Sequence, residues 1–81
     1  MNVRVQFYAQ LRELIGVDAL ELELPQGATV RELLEKIYAQ KPALRVHDKS
    51  ILFGAGLEFV DRNYKLNPGE KIAIMPPVQG G

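Results

Sequence analysis

The chain has 81 residues, which is one domain, and at that size only about 60–65% of the unfolded surface can be buried. Hydrophobic residues make up 47% and charged residues 25%, which excludes a disordered, collagen-like or membrane-embedded chain. Ten basic residues cancel ten acidic ones and cysteine is absent, so a cationic nucleic-acid surface, disulfides, thiolate metal sites and a cysteine nucleophile are excluded together.

Val3, Val5 and Phe7 alternate with Asn2, Arg4 and Gln6, the period of a half-buried strand, and Tyr8 falls on the outer parity. Its polar alternation also lacks the continuous apolar core of a secretory signal. In Ala9–Gly16, Leu11, Leu14 and Ile15 share one helical face and Gly16 supplies a left-handed stop, which predicts about two helical turns. Ala19–Leu24 is a second strand with Leu20, Leu22 and Leu24 inward and Glu21 and Glu23 outward, broken by Pro25-Gln26-Gly27. Thr29-Val30-Arg31-Glu32 has the form of a capping box. Val30, Leu33, Leu34 and Ile37 then follow helical spacing, and Pro42 ends the helix near Gln40 or Lys41.

From Pro42 to Ser50 the chain reads as an irregular polar loop. Ile51-Leu52-Phe53 follows as a strand, Gly54-Ala55-Gly56 as a bend, and Leu57–Val60 as another extended piece. Asp61-Arg62-Asn63 is a turn, and Asn67-Pro68-Gly69-Glu70 has the Pro and Gly of a type II turn. Lys71–Met75 alternates with Ile72 and Ile74 inward, and Pro76-Pro77 stops sheet pairing. A hairpin, a crossing helix and a returning set of strands predict an α+β domain, a β-grasp (ubiquitin-like) roll. Its mixed sheet of about five strands carries one main helix on one face and a short helix after the first strand. The first and last strands lie side by side and parallel at the centre, which the helical crossover permits. The domain is expected over residues 1–75, with an extended tail over 76–81.

The tail is the candidate chemical site. Gly80-Gly81 follows the stiff pair Pro76-Pro77, and residues without a Cβ can thread a narrow site close to other backbone. A terminal carboxylate on Gly81 is ionised at neutral pH. It is suited to attack the α-phosphate of ATP, and sulfur transfer onto the resulting acyl-adenylate would leave a thiocarboxylate. In a chain without cysteine, that is how activated sulfur would be carried.

Three segments carry a family resemblance: Phe7-Tyr8-Ala9-Gln10-Leu11-Arg12-Glu13-Leu14-Ile15-Gly16, then Leu57-Glu58-Phe59-Val60 with Asn67-Pro68-Gly69-Glu70, and the ending Pro76-Pro77-Val78-Gln79-Gly80-Gly81. Over its whole length the sequence resembles the small, sulfur-carrier subunit of molybdopterin synthase. The resemblance implies an ATP-dependent adenylating and sulfurating partner that acts on Gly81. It implies a large subunit that supplies the catalytic groups in a two-plus-two heterotetramer, where the sulfur passes to cyclic pyranopterin monophosphate. It further implies that no cofactor is bound by the chain itself, ATP being used by the adenylating partner, and that Tyr8, Phe59, Met75, Pro76, Pro77, Val78 and Gln79 meet the partners. The expected compartment is the cytoplasm, with neither nucleic acid nor membrane as partner.

The remaining polar residues read as structural. His47, the one histidine, sits among Arg45, Asp48 and Lys49 with no second metal ligand suitably spaced. Glu21 and Glu23 are the wet side of their strand. Gly54-Ala55-Gly56 is too short to cradle a phosphate. Tyr8, Phe59 and Met75, outward by parity, form a candidate docking patch. Other readings of the same residues are a sulfur carrier for thiazole synthesis, a modifier joined to target lysines through Gly81, and a β-grasp binding module with an inert tail.

Overall fold

The computed structural model of the chain describes residues 1–77. Its strands are β1 (Asn2–Phe7), β2 (Ala19–Glu23), β3 (Leu52–Ala55), β4 (Glu58–Val60) and β5 (Lys71–Met75), and its α-helices are α1 (Gln10–Ile15) and α2 (Val30–Gln40). The sheet order is β2-β1-β5-β3-β4. Interior strands β1 and β5 pair in parallel, with Val5 opposite Ile72 and Phe7 opposite Ile74, while β2, β3 and β4 join antiparallel. The expected β-grasp is therefore the observed fold.

Alternation puts Val3, Val5, Phe7, Ile72 and Ile74 on one face, where all are fully buried. Across that face lies α2, whose Val30, Leu33, Leu34 and Ile37 are buried as helical spacing predicts. The Glu32 carboxylate accepts from the Thr29 amide at 3.4 Å, as in a capping box. The first helical amides have no partner within the helix. Here the turn after β4 supplies them: Val30 donates to the Tyr64 carbonyl at 3.0 Å and Arg31 to the Arg62 carbonyl at 3.0 Å. The Asn67–Glu70 turn closes with Glu70 N–H on the Asn67 carbonyl at 3.1 Å. Gly69 there has φ +76°, as a type II turn requires.

Four expectations need correction. The stretch from Pro42 is not an irregular loop: Pro42–His47 is a 3-10 helix that buries Leu44 completely. Of its apolar residues Leu44 is buried and Val46 exposed, a spacing too short for a periodicity argument. The bend expected at Gly54-Ala55-Gly56 comes later, because β3 runs through Ala55 and the hairpin turns at Gly56 and Leu57. Leu57 is thus fully exposed in the turn rather than extended in a strand. Leu14 is 41% exposed, since a six-residue α1 turns only Leu11 and Ile15 into the core. Leu20, on edge strand β2, is partly rather than fully buried.

Tyr38, on the last turn of α2, was not a predicted core residue but is only 3% exposed. Its hydroxyl donates to the Asp48 carboxylate, which also accepts from Arg62 Nη1 at 3.0 Å. Arg62 lies over the Phe53 ring at 5.3 Å, and Arg45 lies over the Tyr38 ring at 4.7 Å. Burial, reinforced by Asp48, pushes the Tyr38 hydroxyl up to about 12, and the Tyr38 hydrogen bond holds Asp48 below its ordinary value. This network joins α2, the 3-10 helix and the turn after β4.

Two predictions follow from packing and charge. Leu34→Ala should cost about 2–5 kcal/mol, read as a fall in the denaturation midpoint; an unchanged midpoint would remove Leu34 from the core. Tyr38→Phe should cost about 2 kcal/mol through loss of a hydrogen bond to a carboxylate. Because folding raises the Tyr38 pKa, its contribution is complete below about pH 10 and is lost as pH rises toward about 12. Because folding lowers that of Asp48, its contribution is present above about pH 4 and is lost as pH falls through the lowered folded value. The difference in stability between the two proteins should therefore be largest at intermediate pH and shrink toward both the acid and the alkaline end.

Candidate functional site

The last strand sets the position of the tail. Strand β5 is hydrogen-bonded on both sides, by β1 and β3, and ends at Met75. Pro76 and Pro77 have no N–H to continue either ladder. Pro76 is half-buried and Pro77 exposed, so the chain leaves the sheet from an interior strand. Val78, Gln79, Gly80 and Gly81, the remaining expected tail residues, lie outside the described residues.

The sheet face opposite α2 carries the expected patch. Tyr8 follows β1 directly, and its amide donates to the Ile74 carbonyl at 3.1 Å, which fixes it beside the end of β5. The next residue, Ala9, has φ +53°, a conformation uncommon for a residue with a side chain. Met75 pairs with Leu52, and Phe59 pairs with Gly54, which in turn pairs with Ala73. Tyr8, Phe59 and Met75 thus meet around one open depression of about 240 Å³ with Gly54 and Ala73 between them. Tyr8 is 40% and Phe59 68% exposed.

The three large residues are legible in the sequence as outward-facing, and the two small ones are not. A glycine in a strand register opposite an alanine was the available signal. It was obscured because Gly54-Ala55-Gly56 reads as a bend.

A second concavity, of about 460 Å³, lies on the other side of the tail's exit, lined by Gln10, Leu14, His47, Ser50, Pro76 and Pro77. The backbone carbonyl of His47 accepts from the Ser50 amide at 2.9 Å and the Ser50 hydroxyl at 3.2 Å, so the residue helps to build the chain reversal. Glu21 pairs across the strands with Arg4 at 3.2 Å, and both are exposed, as expected of the wet side of a strand. Among the described residues, no group of three or more His, Cys, Asp or Glu is placed to hold a metal. Among them also, no helix is long and apolar enough to cross a membrane.

The ThiS family model matches residues 5–81. The chain is 37% identical to the molybdopterin synthase sulfur carrier subunit of Chlamydomonas reinhardtii, with both proteins covered in full. Among solved structures, small archaeal modifier protein 1 of Haloferax volcanii superposes with a TM-score of 0.86 at 26% identity, again with both chains fully covered. A chain in the complex of subunits 1 and 2 of molybdopterin-converting factor from Helicobacter pylori superposes with a TM-score of 0.71 at 24% identity, covering 100% of each, a likeness of fold. Matched from Val5 to Gly81 and aligned end to end with a 37%-identical relative, the chain belongs to the ThiS family, alongside the molybdopterin synthase sulfur carrier subunits that it resembles over its full length.

Proposed function

We propose that the chain is the sulfur carrier of molybdopterin synthase and that the carboxylate of Gly81 is its working group. The observation that carries this reading is the placement of the tail. Pro76 and Pro77 leave an interior strand directly beside an exposed apolar patch, and Val78-Gln79-Gly80-Gly81 follow them in sequence. A partner seated on Tyr8, Phe59 and Met75 receives the tail at a defined position. The family membership and the Chlamydomonas relative support the same reading.

The chemistry follows from the carboxylate. In the adenylating partner, one oxygen of Gly81 attacks the α-phosphorus of ATP and pyrophosphate leaves. A sulfide-level sulfur nucleophile then attacks the acyl carbon and AMP leaves, so that the sulfur remains as a terminal thiocarboxylate. In the large subunit of the synthase, that sulfur attacks a side-chain carbon of cyclic pyranopterin monophosphate, a carbon–oxygen bond breaking as the carbon–sulfur bond forms. Hydrolysis of the thioester frees the carboxylate for another cycle. The reaction geometry belongs to the partners, and this chain contributes a reactive atom on a narrow, glycine-ended lead. Two carriers and two large subunits make up the proposed assembly.

Deleting Gly81, or adding one residue after it, should abolish sulfur transfer without unfolding the domain. The reacting carbon would move by up to about 3.5 Å, and a misplacement of about 1 Å can already cost a hundredfold. The measurements are ATP–pyrophosphate exchange with the adenylating enzyme and conversion of the pterin precursor. Intact mass adds a second readout: sulfuration exchanges one oxygen for sulfur, whereas a protein modifier would appear in high-mass conjugates. Full activity of the Gly81 deletion would leave a β-grasp binding module as the better account. Replacing both Phe59 and Met75 with Ser should weaken binding to the large subunit by about 2 kcal/mol or more while the isolated domain stays folded. Equal affinity by calorimetry would show the patch to be incidental.

A further inference from the structure

Gly54 is an unusual choice for its position. It lies inside β3, hydrogen-bonded in register with both β4 and β5. Its φ is not among the positive values found at Gly16, Gly27, Gly56 and Gly69, so the backbone there does not require glycine. Within a strand, glycine loses more conformational freedom on folding than other residues and packs nothing in return. A Cβ at this site would point onto the outer face, 3.2 Å from Met75 Cε, 3.7 Å from Ala73 Cβ and 3.7 Å from the Glu58 carbonyl oxygen. The missing side chain keeps open the floor of the depression between Tyr8, Phe59 and Met75.

The geometry points to Gly54 and Ala73 as the floor of a recess that receives one apolar side chain of the large subunit, with Gly54 as a specificity-determining residue of the docking surface. This inference rests on the docking role of the patch. The length of the tail limits how far from the recess that subunit can stand. The four residues Val78–Gly81 reach at most about 14 Å beyond Pro77 even when fully extended. A catalytic subunit that acts on the Gly81 carboxylate must therefore bring its surface close to the end of β5. Met75, two residues before Pro77, is a wall of the recess, so a partner seated on this face within that reach also covers Gly54. The lining is apolar over small residues and its rim includes Glu58. That arrangement suits a hydrocarbon or aromatic side chain rather than a charged one.

The test uses the full chain and the large subunit of the synthase, with affinity measured by calorimetry. The Gly54→Ala side chain would meet only the flexible end of Met75 at close range, so thermal stability should be retained while affinity falls on the order of tenfold or more, as expected when a snug apolar site is filled. Ala73→Val fills the same recess from the neighbouring strand and should give the same loss. It decides the matter if Gly54→Ala lowers the denaturation midpoint. If both variants fold and bind like the parent while the Phe59/Met75 double substitution weakens binding, the recess is not used and the inference falls alone. If none of the three weakens binding, the docking role falls with it.

Discussion

Parallel pairing of β1 with β5 is the constraint on which the rest of the molecule depends. These strands are far apart in sequence, and parallel neighbours cannot be joined by a tight turn, so a crossover must cover one face of the sheet. Helix α2 provides that cover, and Val3, Val5, Phe7, Ile72 and Ile74 are completely buried beneath it. The same pairing gives β5 a neighbour on each side. A tail attached to an edge strand would follow one ladder; the strand before this one is held by two up to Ile74 and by β3 alone at Met75.

The segment between β4 and β5 turns that sheet-and-helix sandwich into a closed unit. It satisfies the amides of Val30 and Arg31 at the start of α2, and it sends Arg62 back to Asp48 and Tyr38 near the other end of the same helix. Glu70 holds the final turn, accepting from the Tyr64 hydroxyl at 2.5 Å and from the Asn67 amide at 2.9 Å. A short β4 of three residues adds little pairing of its own, so these polar contacts keep the loop against the helix. The stability of the domain and the placement of its last strand thus come from the same interactions.

The proposed function lies where the core does not. The helix-covered face consumes the apolar side chains that the domain needs in order to fold. The opposite face has smaller residues, Gly54 and Ala73, ringed by Tyr8, Phe59 and Met75. Exposing that ring costs solubility and gains the fold nothing, which is why it reads as a surface for a partner. In the proposed role, in which the working atom is the Gly81 carboxylate, the described part of the chain supplies a fixed point of departure and a surface to be held by.

Much of this was legible in the residues. Two-residue alternation in Val3–Phe7 and Lys71–Met75, helical spacing from Val30 to Ile37, and the Pro68-Gly69 turn act locally, each through one side-chain period or one backbone angle, and all appear as expected. The ending Pro-Pro-Val-Gln-Gly-Gly pointed to carboxylate chemistry because proline and glycine limit the backbone in opposite ways. Other features depend on contacts distant in sequence, and only the tertiary structure decided them. Leu44 lies in a stretch without an apolar period and becomes core because the 3-10 helix folds under α2; Tyr38 is held inward by Asp48 and Arg62. Gly54 resembled a bend because a glycine signals a turn when it stands alone. Between β4 and β5 it is held in a strand by neighbours on both sides, and it becomes the floor of a surface that no single segment could reveal.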